Sequence, residues 1–184
     1  MERTKAANIR WMIRRDMPEV LEIENLSYEW PWIEDDFLQL LRARNVIGMI
    51  VECSEKVVAF MVYELHKPSL KVVNMTVHPQ YRRQGFGAAM VEKLTSKLST
   101  HRRKKIEVMV RESDMEAQCF LRAMKFVAVN VSRGDYDDTD EDGYLFQFRI
   151  DGNYPERCKP KPESRRGVCD VDISNRVSGS FRRK

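Results

Sequence analysis

A strand-like run ending at Val77, followed at once by Arg82-Arg-Gln-Gly-Phe-Gly87 and a helix-patterned segment, restricts the fold more than any other part of the chain. The amides of a helix's first turn have no partners inside the helix, and the macrodipole adds about half a positive charge there. Glycine removes side chains that would keep an anion from the backbone. The spacing therefore predicts a strand, turn and helix built to receive a phosphate. It is not a P-loop, because no Gly-Lys-Ser/Thr follows, and the three-glycine Rossmann spacing is missing.

Around this turn the apolar pattern is that of one α+β domain. Ile9–Ile13 reads as a strand, and Asp16–Glu24 as a helix with Pro18 in its first turn. Trp30-Pro-Trp32 breaks that helix, and Asp35–Arg44 starts another. Val46–Glu52, Val57–Leu65 and Val72–Val77 are apolar, β-branched runs separated by turn residues, which predicts sequential antiparallel strands. Phe86, Met90, Leu94 and Leu98 recur every four residues, so a helix is expected to run into His101-Arg-Arg-Lys-Lys105, where the dipole would favour positive charge. Ile106–Val110 is a strand, a helix capped by Ser113 or Asp114 follows, and Phe126–Val131 and Tyr144–Ile150 close the pattern as strands. The fold class is thus a mixed, mostly antiparallel sheet of about seven strands with about four helices.

The domain is expected over residues 1–150, with 151–184 an extended or disordered tail rich in Pro and Arg. The formal charge of +4 is confined to that tail, which has nine Lys/Arg against five Asp/Glu, whereas the rest of the chain has 23 of each sign. A neutral domain argues against a nucleic-acid-binding fold and leaves ribosome or nucleic-acid contact to the tail alone. No apolar stretch approaches the roughly 20 residues of a membrane span, and the first residues lack a signal-peptide core, so a cytoplasmic location is expected. The four cysteines and three histidines show no metal-ligand spacing, and no metal is expected.

Arg82-Arg-Gln-Gly-Phe-Gly87 resembles the acetyl-CoA motif of the GNAT superfamily, Arg/Gln-x-x-Gly-x-Gly/Ala, and residues 8–150 follow that family's order of elements. Within it, the chain looks most like the ribosomal-protein-alanine and other N-terminal acetyltransferases. Trp30-Pro-Trp-Ile-Glu34 resembles their Phe-Pro-Trp-Ser-Glu turn, Val110-Arg-Glu-Ser-Asp114 their Val-Arg-x-Ser-Asn, and Tyr136 with Glu141-Asp-Gly-Tyr144 their Tyr…Glu-Asp-Ala-Tyr ending. The resemblance implies acetyl transfer from acetyl-CoA to an amine, foremost the α-amine of a protein or peptide N-terminus.

It further implies that main-chain groups of Met75, Thr76 and Val77 hold the acetyl and pantetheine. Amides of Arg83, Gln84, Gly85, Phe86, Gly87 and Ala88 would hold the pyrophosphate, with Arg82 or Arg83 adding a charged contact. Asp114 stands at a cofactor-contacting asparagine position, where it is equally a helix cap. Trp30, Trp32, Tyr136 and Glu141 would border the acceptor.

The usual base and acid positions of that group fall on Met109 and Leu121, neither of which transfers a proton. Glu107, on the same strand face as Met109, and Tyr136 are the substitutes that the sequence offers, with Tyr144 a further tyrosine near the same end. The acidic stretch Asp135–Asp142 would draw a cationic amine or simply form a solvated loop. Two other functions fit the same residues: acetylation of a small-molecule amine, and a non-catalytic acyl-CoA-binding module.

Overall fold

The computed structural model describes residues 7–136, 141–155, 158 and 176–178. Its elements are β1 (Asn8–Trp11), α1 (Met17–Ser27), α2 (Glu34–Leu41), β2 (Val46–Cys53), β3 (Lys56–Leu65), β4 (Ser69–Val77), α3 (Phe86–Thr95), β5 (Lys105–Arg111), α4 (Met115–Ala123), β6 (Val127–Tyr136), β7 (Glu141–Arg149) and β8 (Arg176–Ser178). The sheet runs β1-β2-β3-β4-β5-β7-β6, with β8 added on β4. Every pairing is antiparallel except β4 with β5, the pair joined through α3. Parallel neighbours require such a crossover, and a helix supplies it.

Two apolar cores lie on opposite faces of the sheet. Met90, Leu94, Phe120 and Leu121 bring α3 and α4 onto one face, against Met75, Val77, Val108 and Val110. Val20, Ile23, Phe37 and Leu40 bring α1 and α2 onto the other, against Ile50, Phe60, Val62 and Val73. Arg10 fastens the start of α1 to β1 through a bidentate pair with the buried Asp16, at 2.7 and 2.8 Å. Asp16 also accepts the Ile13 amide. Burial alone would raise the Asp16 pKa, but Arg10 and that amide outweigh it and hold it below the usual value.

The feature that opens a site is a bulge in β4. Val62 of β3 pairs with Asn74 and Tyr63 pairs with Val72, leaving Val73 as the extra residue. A bulge bends its strand. β4 and β5 are paired only over Ser69–Val72 and Lys105–Val108. Beyond that, β4 continues along β3 to Val77 and β5 continues along β7 to Arg111, so the two part company. β8 lies in this opening, with Asn74, Met75 and Thr76 paired to Ser178, Val177 and Arg176, and it also runs beside β5.

One expectation needs correction. α3 stops at Thr95, so His101–Lys105 is not its last turn, and the dipole explanation of that basic run fails. The Thr95 and Ser96 hydroxyls donate to the carbonyls of Glu92 and Lys93, the local competition that ends helices at such residues. The tail lies mostly outside the described residues. Within them, Tyr154 is buried and donates to the Gln147 carbonyl while accepting the Arg149 amide, and Cys158 lies against the Val129 carbonyl.

Candidate functional site

The end of β4 and the start of α3 form one continuous corner. After Val77 a short 3₁₀ turn spans Pro79–Tyr81, fastened by the Gln80 amide donating to His78 Nδ1. Arg82 then folds back, its Nε donating to the Val77 carbonyl and its Nη2 to Ser27 Oγ, both at 3.2 Å. Arg82 thereby joins the turn to the end of α1. Gln84 reaches the Gln80 carbonyl. Arg83 and Gly85 are left-handed, at φ 65° and 85°, a backbone that glycine adopts at no steric cost. The first helical bond runs from the Ala89 amide to the Gly85 carbonyl. The amides of Phe86, Gly87 and Ala88 therefore have no acceptor within their helix. Among the described residues, nothing beyond its own chain neighbours lies within 4 Å of where a Gly85 Cβ would stand, so the approach to these amides is open at that position.

On β5 the sheet face toward α1 and α2 carries Glu107. Its carboxylate accepts from Lys105 Nζ and Gln147 Nε2, each at 2.8 Å. Burial would raise its pKa, yet Lys105, Ser69 and Gln147 together lower it. Such a carboxylate is a weaker base than an ordinary glutamate. Met109 is half-buried and Leu121 is fully buried in the core. Asp114 Oδ1 accepts the Ala117 amide at 3.0 Å and so caps α4. Tyr136 is buried under the Arg111 guanidinium, 4.0 Å from its ring centre, and Arg111 pairs in turn with Glu141 at 3.4 Å. Tyr144 donates to Glu112. Within the acidic stretch, 137–140 lie outside the described residues, as does the side chain of Asp135.

The loop after α1 splits the two tryptophans. Trp30 is 69% exposed, whereas Trp32 packs edge-on against Phe37 at 5.2 Å. Trp32 also donates its amide to Glu24 Oε1, the first contact of a polar file running beneath the loop. Asn74 Nδ2 reaches both Glu24 oxygens at 3.2 Å, Thr76 Oγ1 donates to Asn74 Oδ1 at 3.1 Å, and the Tyr28 hydroxyl meets Thr76 Oγ1 at 2.8 Å. Burial raises the Glu24 pKa to about 7, although its two donors oppose the shift.

The acetyltransferase (GNAT) family model matches residues 9–126. The chain belongs to the GNAT family. Among curated proteins it is similar to the ribosomal protein bS18-alanine N-acetyltransferase of Escherichia coli K12, 26% identical over 137 residues, which cover 73% of this chain and 92% of that protein. Its fold is that of the ribosomal-protein-S18-alanine N-acetyltransferase crystal structure from Escherichia coli, with a TM-score of 0.70, 24% identity and coverage of 79% and 94%. It is equally that of Ard1 from Thermoplasma volcanium, with a TM-score of 0.71, 22% identity and coverage of 79% and 98%.

For a GNAT chain the arrangement fits an acyl-CoA. A pyrophosphate has open helix amides, and the strand edge beside them that would take an extended pantetheine is paired with β8 over Asn74–Thr76. The sequence located Met75–Val77 and Arg82–Ala88 at one corner, and the structure brings them together there. Trp30 and Trp32 share a loop, and Tyr136 shares Arg111 with Glu141, but Glu107 is engaged with Lys105 and Gln147. Sequence reasoning missed Glu24, Tyr28 and Asn74. The available signal was Asn74 and Thr76, polar residues two apart within an apolar strand.

Proposed function

We propose that this GNAT acetyltransferase acts on the α-amine of a protein or peptide, with acetyl-CoA as donor. The observation that carries the reading is the parting of β4 from β5 directly beside the open first turn of α3. Main-chain groups of Met75, Thr76 and Val77 take the acyl and pantetheine portion, and amides from Arg83 to Ala88 take the pyrophosphate. Arg82 holds the corner in shape through Val77 and Ser27. Acetyl-CoA supplies, when bound, the thioester whose carbonyl carbon the amine attacks.

The acceptor enters from the α1/α2 face, bordered by Trp30, Trp32, Tyr136 and Glu141. Because the chain has Met109 and Leu121 where the resembled group has its base and acid, the acceptor's own acidity matters. An α-ammonium titrates at about 7.7–8.0 and a lysine near 10.4, so only the former is substantially deprotonated near neutrality. The similarity to a bS18-alanine N-acetyltransferase supports the same class of acceptor. Residues 1–150 carry the proposed catalytic site, with Tyr154, Cys158 and β8 packed onto them; the proposed setting is cytoplasmic, and no described helix is long and apolar enough to cross a membrane.

The test is incubation with acetyl-CoA and a library of N-terminal peptides, following thiol release and peptide mass. Peptides gaining one acetyl at the α-amine are expected. Tight acetyl-CoA binding without acetylation of any amine would instead identify an acyl-CoA-binding module. Gly85→Val, which strains a left-handed residue and places methyls at the helix mouth, is expected to weaken acetyl-CoA binding about tenfold by calorimetry.

A further inference from the structure

The face of β5 and β7 that carries Glu107 is a ladder of cross-strand rungs. Residues directly opposite in an antiparallel pair share a face, and every second residue returns to it. Ile106 with Phe148, Val108 with Phe146 and Val110 with Tyr144 turn toward α3 and α4, where they join the core. The other face therefore carries Lys105 with Arg149, Glu107 with Gln147, Met109 with Leu145 and Arg111 with Gly143. The 2.8 Å bond from Gln147 Nε2 to Glu107 shows two members of one rung meeting on this side.

The rungs differ in chemistry. Glu107 is satisfied by Lys105 and Gln147, and Arg111 by Glu141 and the Tyr136 ring. Between these two engaged clusters, Met109 and Leu145 form an uncharged step, continued on β6 by Asn130, the partner of Leu145. Both apolar side chains are half-buried, and among the described residues neither packs into either core. α1 is packed on β3 and β4 and α2 on β2, to one side of this step.

The step also stands where the reaction would occur. β4 and β5 are paired as far as Val72 and Val108, so Met109 is the first β5 residue past the fork. The proposed pantetheine, starting from a pyrophosphate at the first turn of α3 and laid along Val77, Thr76 and Met75, runs back toward that fork and brings its thioester there. The rung above belongs to Arg111, whose partners Tyr136 and Glu141 border the proposed acceptor site. A charged side chain laid on the step would leave water and find the nearest opposite charges already paired, at a cost. An aliphatic one would remove its own surface and that of the step from water together.

The geometry points to Met109 and Leu145 as the floor that receives the first side chain of the acceptor peptide and selects an uncharged, aliphatic one. The inference rests on the peptide α-amine reading given above.

The experiment measures kcat/KM, read as α-acetylated product at saturating acetyl-CoA, for four peptides that differ only in beginning with leucine, alanine, lysine or aspartate. Wild type is compared with Leu145→Ala and Leu145→Glu. Wild type is expected to favour leucine over lysine and over aspartate by at least about tenfold. Leu145→Ala should reduce the preference for leucine over alanine about fourfold, the effect of roughly one methylene. Leu145→Glu should raise the lysine-to-leucine ratio about tenfold by placing an unpaired carboxylate in the floor. Each result is a ratio within one protein, so a smaller folded fraction leaves it unchanged. A Leu145→Glu that keeps the wild-type ratios overturns the proposal. A wild type that acetylates no α-amine overturns the α-amine reading and this inference with it, whereas an active wild type indifferent to the first residue overturns this inference alone.

Discussion

The two strands that separate at the cleft present different chemistries to it. On β4, Asn74 and Thr76 are completely buried yet fully engaged, joined to Glu24 below and Tyr28 above. On the β5 side, Met109 is apolar, Leu121 is locked in the core, and the carboxylate two residues before Met109, Glu107, is held by Lys105 and Gln147. A buried charge is retained only where donors surround it, and both strands satisfy that condition. They differ in what the donors do to the proton affinity. Glu107 is stabilised as an anion by a cation, whereas Glu24 has neutral donors and a pKa pushed up to about 7. The group whose charge state is poised near neutrality thus belongs to the β4 side.

The largest expected effect tests that difference through stability. Glu24 rises from 4.5 in the unfolded chain to about 7 in the fold, so the native state binds the extra proton. Its contribution is greatest below pH 4.5 and is lost as pH rises through 7, amounting to roughly 3 kcal/mol. Urea unfolding of Glu24→Gln at pH 5 and pH 8 should lack this loss, so the variant gains on wild type at the higher pH. A matching pH dependence in variant and wild type would remove the contrast between the strands. Asn74→Ala takes a donor from Glu24 and an acceptor from Thr76, at a cost of about 1–3 kcal/mol at pH 8 by the same measurement. On the opposite strand, Met109→Leu conserves volume and should cost less than about 1.5 kcal/mol, with kcat/KM within twofold of wild type. A substantial loss of kcat there would show that Met109 shapes the reacting site on the β5 side.

Most of the architecture was legible because burial follows period. β2, β3 and β5 are dense in β-branched residues, and α3 repeats its apolar residues every four, so element type and order could be read directly. The length of β6 was not, because Ser132, Arg133 and Gly134 carry no apolar signal and its pairing with β7 is broken by register shifts. The end of α3 was missed because Leu98 extended the repeat beyond hydroxyl side chains that had already closed the helix. At the site, the Gly85 corner was readable because a phosphate that must touch the backbone calls for glycine, and the structure adds that Gly85 is left-handed. Glu24 was not, because a glutamate within an amphipathic helix looks like solvent-facing charge until its partner 50 residues away is known.

The short β8 ladder has a consequence in populations rather than contacts. If main-chain groups of Met75–Val77 hold a pantetheine as proposed, those of Asn74–Thr76 that pair with Arg176–Ser178 cannot do so at the same moment. Two extended chains would then claim one strand edge, and the apparent affinity for acetyl-CoA would be the intrinsic affinity scaled by the fraction of molecules with β8 released. Removing residues 159–184, while keeping Tyr154 and Cys158 in place, should tighten acetyl-CoA binding by that fraction, and an unchanged Kd would mean that the released state already dominates. Addition of the severed segment as a free peptide should then weaken binding again in proportion to its concentration, as expected of a competitor for a single edge.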